Sequence, residues 1–428
     1  MSNECNNRVF ITGLSALTAC GDTAESTWDA VLAGQSGLDQ INYWDISSWP
    51  SSIGGELKNF NPARMLPDRK LIKVISRQDV MGIHAAIKAV EDSQFLTYRE
   101  NLPNQDIFNE NTAIYVGSPG NKYFQQYDFL PLLAKTNGNM SEFAKHLFDE
   151  VHPMWLLRIL PNNVLAYTGI TYNFKGPNHN ITNHAVGGTQ AILEAFHAIK
   201  SGQAERAIVV AYDMGVEPQA LFYYDKLGVI SKKHLKPFDK EHDGTLLAEG
   251  AAAIVLESQA SVQARDAFCY AEVLGGMAAT EGAGLFSLTN DGSPLADLLV
   301  KTLESLNLAP AEIDLIVAHG NGNTKSDDTE AQAIKSVFDK YEVPVTAFKW
   351  AMGHTLCASG LIDAVLTTYS LKNRCIPGIA NFSELAANCS SLNISKEHRL
   401  LQEQSPIAVM INRGFASMNA CLVIKAHG

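Results

Sequence analysis

The sequence predicts an α/β protein made of two halves that echo each other, and three observations carry that prediction. Apolar runs of strand length alternate with amphipathic stretches of helix length, the pattern of mainly parallel sheets covered on both faces. The order of elements repeats: each half has an early strand, a buried strand ending in a polar turn, a strand–tight turn–helix unit and a closing pair of apolar strands. No low-complexity or proline-rich linker interrupts the 428 residues, so the halves, 1–260 and 261–428, are expected to pack as one unit.

Taken in order, residues 8–13 form a strand that runs into a turn of small residues, and a helix follows over 23–33 with Asp22 or Thr23 as its cap. Residues 35–70 alternate short polar turns with Tyr43, Trp44, Trp49 and Phe60, which suggests a packed excursion. Over 76–93, Val80, Ile83, Ala86, Ile87 and Val90 recur on one helical face. A buried strand at 112–116 ends in Gly-Ser-Pro-Gly, and 121–160 reads as helical and rich in large apolar residues, with an insertion-like helix over 121–150. Strands at 206–211 and 251–256 close the first half, with an irregular stretch between them. The second half places strands at 313–319 and near 343–348, helices over 327–338 and from 360 to 372, and closing strands at 407–412 and 420–425.

Composition narrows the function. With 46% hydrophobic and 18% charged residues the chain is an ordinary globular protein. Its 33 basic against 45 acidic residues argue against general nucleic-acid binding. No run of 18 apolar residues exists, so no membrane span is expected. The first residues lack the basic and apolar regions of a secretory signal. Seven scattered cysteines without a C-x-x-C pair suggest reduced thiols in a cytoplasm.

Residues 176–192, GPNHNITNHAVGGTQAI, read as strand, sharp turn and helix start. Gly187 and Gly188 permit the reversal, and the helix N-terminus behind it favours negative charge. Acyl-transfer enzymes seat a nucleophile at such a bend, and here the bend carries Ala185. His184 lies one residue earlier, and a slip of one residue would bring it there; the spacing on both sides favours Ala185.

Three polar clusters follow strands. His319-Gly-Asn-Gly-Asn-Thr has Asp327 and Glu330 downstream, Lys349 and His354 sit at the end of another strand, and 412–419 form a turn between the closing strands. Taken singly, each histidine is ordinarily structural. Neither has a metal-ligand spacing, so no metal is expected. The chain has no G-x-S-x-G, no phosphate loop and no G-x-G-x-x-G after a strand, and no cofactor is expected either.

Together these clusters resemble the β-ketoacyl-ACP synthases of the condensing-enzyme family, over nearly the whole chain. Pro237-Phe238-Asp239 with Asp243-Gly244 and Glu249-Gly250 is similar to that family's PFD…RDG…GEG. His319 with Asp327 and Glu330 is similar to its HGTGT…D..E, Lys349 and Gly353-His354 to its K…GH, and Gly414-Phe415 to its GFGGTN turn. The resemblance implies a thiolase-like fold, a duplicated α-β-α-β-α five-layer architecture with mixed sheets. It also implies that a cysteine belongs at position 185 to take an acyl chain from an acyl carrier protein. His319 and His354 would assist decarboxylation of the extender and stabilise the enolate and oxyanion, with Lys349 supporting the electrostatics.

The departures from that family are systematic. Position 185 is alanine, Asn321 and Asn323 replace threonines, and Ala248 replaces a glycine. Ala416-Ser417 replaces a glycine pair and Met418 a threonine. An active enzyme carrying an engineered Cys→Ala change would keep its other motifs, so the drift weighs against that alternative. The resemblance therefore points to a chain-length-factor-like subunit without condensing activity of its own. Such a subunit pairs as a heterodimer with an active ketosynthase in type II polyketide assembly, here of aryl-polyene type. Docking of the acyl carrier protein is then expected mainly on the partner. Phe415 and the bulky residues Met154, Trp155 and Leu157 are the candidate tunnel wall. A malonyl-ACP decarboxylase supplying the primer is the alternative enzyme, and a purely structural partner the alternative from another class.

Overall fold

The computed structural model describes residues 8–120, 122 and 127–427. The first strand, β1 (Val9–Leu17), is buried along its whole length and lies in the middle of the sheet. Helix α1 (Ala24–Leu32) starts at Thr23, whose side chain accepts the N–H of Ser26 in a capping box. The excursion that follows is packed: strands Leu38–Gln40 and Ile53–Gly55 pair, and the Trp44 and Trp49 rings meet edge to face at 4.9 Å.

Helix α2 (Arg77–Ser93) shows how the pattern dictates the packing. Ser76 and Asp79 form a capping box at its start, and Gln94 ends it in a left-handed conformation. Val80, Ile83, Ala86 and Val90 face the sheet. Burying each of the larger ones contributes roughly 1.5–3 kcal/mol relative to leaving it in water. Strand β2 (Thr112–Gly117) comes next, then helix α3 (Met140–Glu150), helix α4 (Asn163–Tyr172) and strand β3 (Asn178–Ile181).

The stretch expected as one helix over 121–150 is different. Residues 121 and 123–126 lie outside the described residues, and the rest forms a 3₁₀ turn, a short helix at Leu130–Lys135 and α3. The break falls at Asn137 and Gly138, with φ of 48° and 73°, so a turn dipeptide overrides the apolar run.

Helix α5 (Gly187–Lys200), strand β4 (Arg206–Met214), helix α6 (Pro218–Lys226) and strand β5 (Glu249–Ser258) complete the first half. The stretch read as irregular thus contains α6. The second half holds strand β6 (Ala271–Thr280), helix α7 (Ser293–Ser305), strand β7 (Leu315–Val317), helix α8 (Thr324–Phe338), strand β8 (Pro344–Thr346) and helix α9 (Ser359–Asn373). Strands β9 (Asn393–Ile394), β10 (Ile407–Gly414) and β11 (Met418–Ala426) end the chain.

Among the described residues eleven strands form one mixed sheet in the order β9-β8-β7-β10-β11-β6-β1-β5-β4-β2-β3. Each half contributes parallel and antiparallel pairs. The two half-sheets are not separate: β1 and β6 pair antiparallel, with Val9 opposite Val273 and Ile11 opposite Ala271. Helices α5 and α9 pack on each other between the half-sheets, α2 and α4 cover one outer face, and α7 and α8 the other. These are the five expected layers.

Candidate functional site

The two central helices start at matching turns. A 3₁₀ turn at His184–Val186 leads into α5, and another at Leu356–Ala358 leads into α9. In each, the first residue is left-handed: His184 at φ 49° and Leu356 at φ 46°. The turns interlock. A Cβ on Gly187 would come within 2.7 Å of Cys357 Sγ, and one on Gly188 within 2.7 Å of the Cys357 carbonyl oxygen. Glycine at both positions is therefore demanded by the close approach rather than by the turn alone. Ala185 sits fully buried at the bend.

The clusters read from the sequence converge beside this bend. His319 leaves the end of β7, and its N–H donates to Glu330 at 2.7 Å while Gly320 donates to the other Glu330 oxygen at 3.1 Å. Asp327 accepts the N–H of Phe238 at 2.8 Å and of Gly322 at 3.2 Å. These two carboxylates hold the loop that aims His319. His354 approaches from the turn before α9, and the two imidazole rings meet at 5.1 Å, nearly perpendicular. Burial pushes both histidines well below their ordinary range, and the Lys349 charge adds to the effect on each. They are neutral, and neither Nδ1 meets a hydrogen-bond partner among the described residues. A pair of neutral imidazoles can donate hydrogen bonds to a developing oxyanion or enolate without first losing a proton.

Lys349 acts from outside the cavity. Its Nζ is 2.8 Å from Asp363, which also accepts from Asn412 at 3.2 Å, and Asn412 in turn accepts from the Thr189 hydroxyl on α5. This buried chain ties α9, β10 and α5 together.

His319 and His354 line a cavity of about 170 Å³ with Leu227, Val229, Leu288, Arg413 and Phe415. Met154, Trp155 and Leu157 line neither this cavity nor the larger one beside it. They belong to a surface segment, where Trp155 meets the Phe129 ring at 4.1 Å and Leu156 is 57% exposed.

Three features of the site go beyond the sequence reading. The first is the setting of His184, which the sequence offers only as a neighbour of the bend: its ring stacks on Phe415 at 4.5 Å and its Nε2 is 2.8 Å from the Tyr224 hydroxyl. Burial pushes its pKa down to about 4, so the ring is neutral. Its Nδ1 accepts the Phe415 N–H at 3.3 Å, which leaves the proton on Nε2 to be donated to Tyr224. The second is Tyr224 itself, on α6, a helix without a clear sequence period. The third is Arg413, which donates to Asn419, the Ser326 carbonyl, Thr329 and Glu281. Its bond to Glu281, at 3.0 Å and almost fully buried, clamps residues 281–289 over the cavity. A charged residue inside a turn between two apolar strands was the available signal for it.

The turn beneath that clamp is strained. Ala416 and Ser417 are both left-handed, at φ 61° and 56°. Their hold comes from the 281–289 loop: the Ala416 N–H donates to Leu285, and the Ser417 hydroxyl to Gly284 and Ser287. No helix of the described residues is long and apolar enough to cross a membrane, and no cluster of three or more potential metal ligands occurs among them.

Comparison with known proteins agrees with this geometry. The family model described as "Beta-ketoacyl synthase, N-terminal domain" matches residues 6–261, and "Beta-ketoacyl synthase, C-terminal domain" matches 270–383. A 3-oxoacyl-[acyl-carrier-protein] synthase 2 of Coxiella burnetii is 28% identical over 98% of both chains. That of Synechocystis is 26% identical over the full length of both. Among solved structures, the ishigamide ketosynthase/chain length factor superposes with a TM-score of 0.88 at 23% identity, covering 99% of this chain and 100% of that one. A β-ketoacyl synthase from Burkholderia phymatum gives 0.86 at 23% identity with the same coverage. At these identities the structures establish the fold.

Proposed function

The chain belongs to the β-ketoacyl synthase family, and from that premise we propose that it is a non-condensing, chain-length-factor-like subunit. It pairs with an active ketosynthase and helps set the length of an acyl chain built on an acyl carrier protein in type II polyketide assembly. The observation that carries this reading is the elbow: the bend where the family resemblance implies a nucleophile holds Ala185, whose methyl group cannot form a thioester. His184 beside it is stacked on Phe415 and hydrogen-bonded to Tyr224. One solved neighbour is itself a ketosynthase/chain length factor, and another is a type II PKS acyl-carrier protein in complex with its ketosynthase. Both lend support to the pairing.

Met154, Trp155 and Leu157, on the surface segment, are the proposed contribution to a shared tunnel, and an aryl polyene is the proposed product class. Co-expression with candidate ketosynthases tests the reading. A stable heterodimer is expected, and Trp155→Ala should shift the mass distribution of carrier-bound products by at least one extension unit. A chain that purifies alone with no partner preference, or an unchanged product distribution, refutes it.

A second reading is supported by the paired neutral histidines on the cavity. Decarboxylation of a malonyl thioester releases CO2 and leaves an enolate that hydrogen bonds from His319 and His354 would stabilise, with no need of a thiol. Release of CO2 from malonyl-ACP by the chain, abolished by His319→Ala with His354→Ala, is the expected result for this activity. Release at the uncatalysed rate excludes it.

A further inference from the structure

Beside the histidine cavity lies a second space of about 500 Å³, lined by Met214, Phe222 and Leu356 together with the polar Asp213, Glu217 and Gln219. The two cavities share three lining residues: His184, Tyr224 and Phe415. These three rings are stacked on one another. His184 lies 4.5 Å from Phe415 with planes 16° apart, Tyr224 lies 5.0 Å from Phe415 at 27°, and His184 and Tyr224 are 12° from parallel. Phe286 closes the stack edge-on at 5.2 Å.

The stack is tied as well as packed. His184 is hydrogen-bonded at both nitrogens, to Tyr224 on one side and to the Phe415 N–H on the other. Its backbone is held left-handed by the interlocked turns, and a Cβ on Gly414 would lie 3.3 Å from its Nδ1. Phe415 stands on the turn that the 281–289 loop secures through Ala416 and Ser417. Each ring is therefore fixed from a different element, and stacked aromatic pairs of this geometry add to the stability that their burial gives.

We propose that His184, Tyr224 and Phe415 form a fixed partition that separates the histidine cavity from the pocket on the far side of the three rings, so that no acyl chain can thread past Ala185. The inference rests on the reading that this chain does not condense, and it goes further. The missing thiol is then one of two independent blocks, and restoring it alone does not restore acyl loading. His184 is the specificity-determining residue of the pair, because its side chain, not that of Ala185, borders both cavities.

The full-length chain is tested with octanoyl pantetheine thioester. A thiol introduced by Ala185→Cys would attack the thioester carbonyl as thiolate. The bond to the pantetheine sulfur breaks, and pantetheine leaves as its thiol after taking up a proton. Ala185→Cys alone is expected to stay unacylated by intact mass measurement. Ala185→Cys combined with His184→Ala and Phe415→Ala should gain one octanoyl group per chain. In parallel, binding of a fluorescent fatty-acyl probe should tighten at least tenfold in the single variants His184→Ala and Phe415→Ala. It should not change in Leu400→Ala, which is 74% exposed and borders neither cavity.

Acylation of Ala185→Cys alone at the rate of the combined variant overturns the partition. So does unchanged probe binding in the folded single variants, which keeps the test decisive should the combined variant fail to fold. Neither result touches the heterodimer or its product lengths, which are read separately.

Discussion

Ala416 and Ser417 pose the sharpest question at the scale of single residues, because two consecutive left-handed residues stand where the family resemblance expects glycines. A left-handed alanine costs on the order of 1 kcal/mol or more. Glycine removes that cost but loses some of the gain to its freer unfolded chain. Ala416→Gly is therefore expected to stabilise the protein by about 0.5–1 kcal/mol, read as a higher urea midpoint at unchanged slope. An unchanged or lower midpoint would mean that the 281–289 loop relies on the alanine methyl.

His242 offers a pH-dependent test. Burial disfavours its charge, but the hydrogen bond and charge of Asp327, at 3.1 Å, together with Asp328 and Asp239, outweigh this and raise its pKa. A raised folded pKa means that the stabilisation is complete below the unfolded value near 6.5 and is lost as pH rises through the folded value. His242→Gln should flatten the fall in stability between about pH 6 and 8, measured by chemical denaturation at each pH. A wild-type profile already flat over that window would contradict the pairing.

Among elements, the anchoring of the surface segment to α2 is the most consequential. Lys122 reaches Asp79 at 2.6 Å, both side chains almost fully buried, and also donates to the Leu160 carbonyl. Asn163 donates to the same carboxylate at 3.0 Å. Removing one member of such a pair strands the other charge, at a cost of about 3–5 kcal/mol. Lys122→Met should lower stability by that order, and adding Asp79→Asn should recover part of it in a double-mutant cycle. A loss in the double variant equal to the sum of the two single losses would show that the pair itself contributes nothing.

How far the sequence reveals these elements follows from the range of the forces involved. The bend at 176–192 and the capped helix α2 are set by neighbours a few residues apart, so the local pattern exposes them. The histidine pair is visible because each member stands beside a glycine in a polar motif that follows an apolar run, although the strand expected up to His354 stops at Thr346 and a short helix, Lys349–Met352, intervenes. The partition is not: Tyr224 sits on α6 and Phe415 on the closing hairpin, and only packing brings them to His184. Likewise, 121–150 looks like one helix because its apolar residues are dense, although Asn137-Gly138 already marks the break. Lys122 gives no sign in sequence of its buried partner.

At the scale of the whole molecule, the pairing of β1 with β6 and the packing of α5 on α9 make the halves interdependent. Calorimetric unfolding should therefore show a single transition whose van't Hoff and calorimetric enthalpies agree. Two resolved transitions would mean that the ladder across β1 and β6 is too weak to couple the halves.

The same strand has a consequence during synthesis. β1 is made long before its two neighbours, β5 and β6, so Val9 must wait for Ser258 on one side and Val273 on the other. At roughly 5–20 residues per second, this fully buried segment remains without its partners for on the order of tens of seconds on the ribosome. A strand buried along its whole length in the finished sheet is thus left exposed in the nascent chain. Holding it out of aggregation until the ladder can close is a demand that the native state no longer displays.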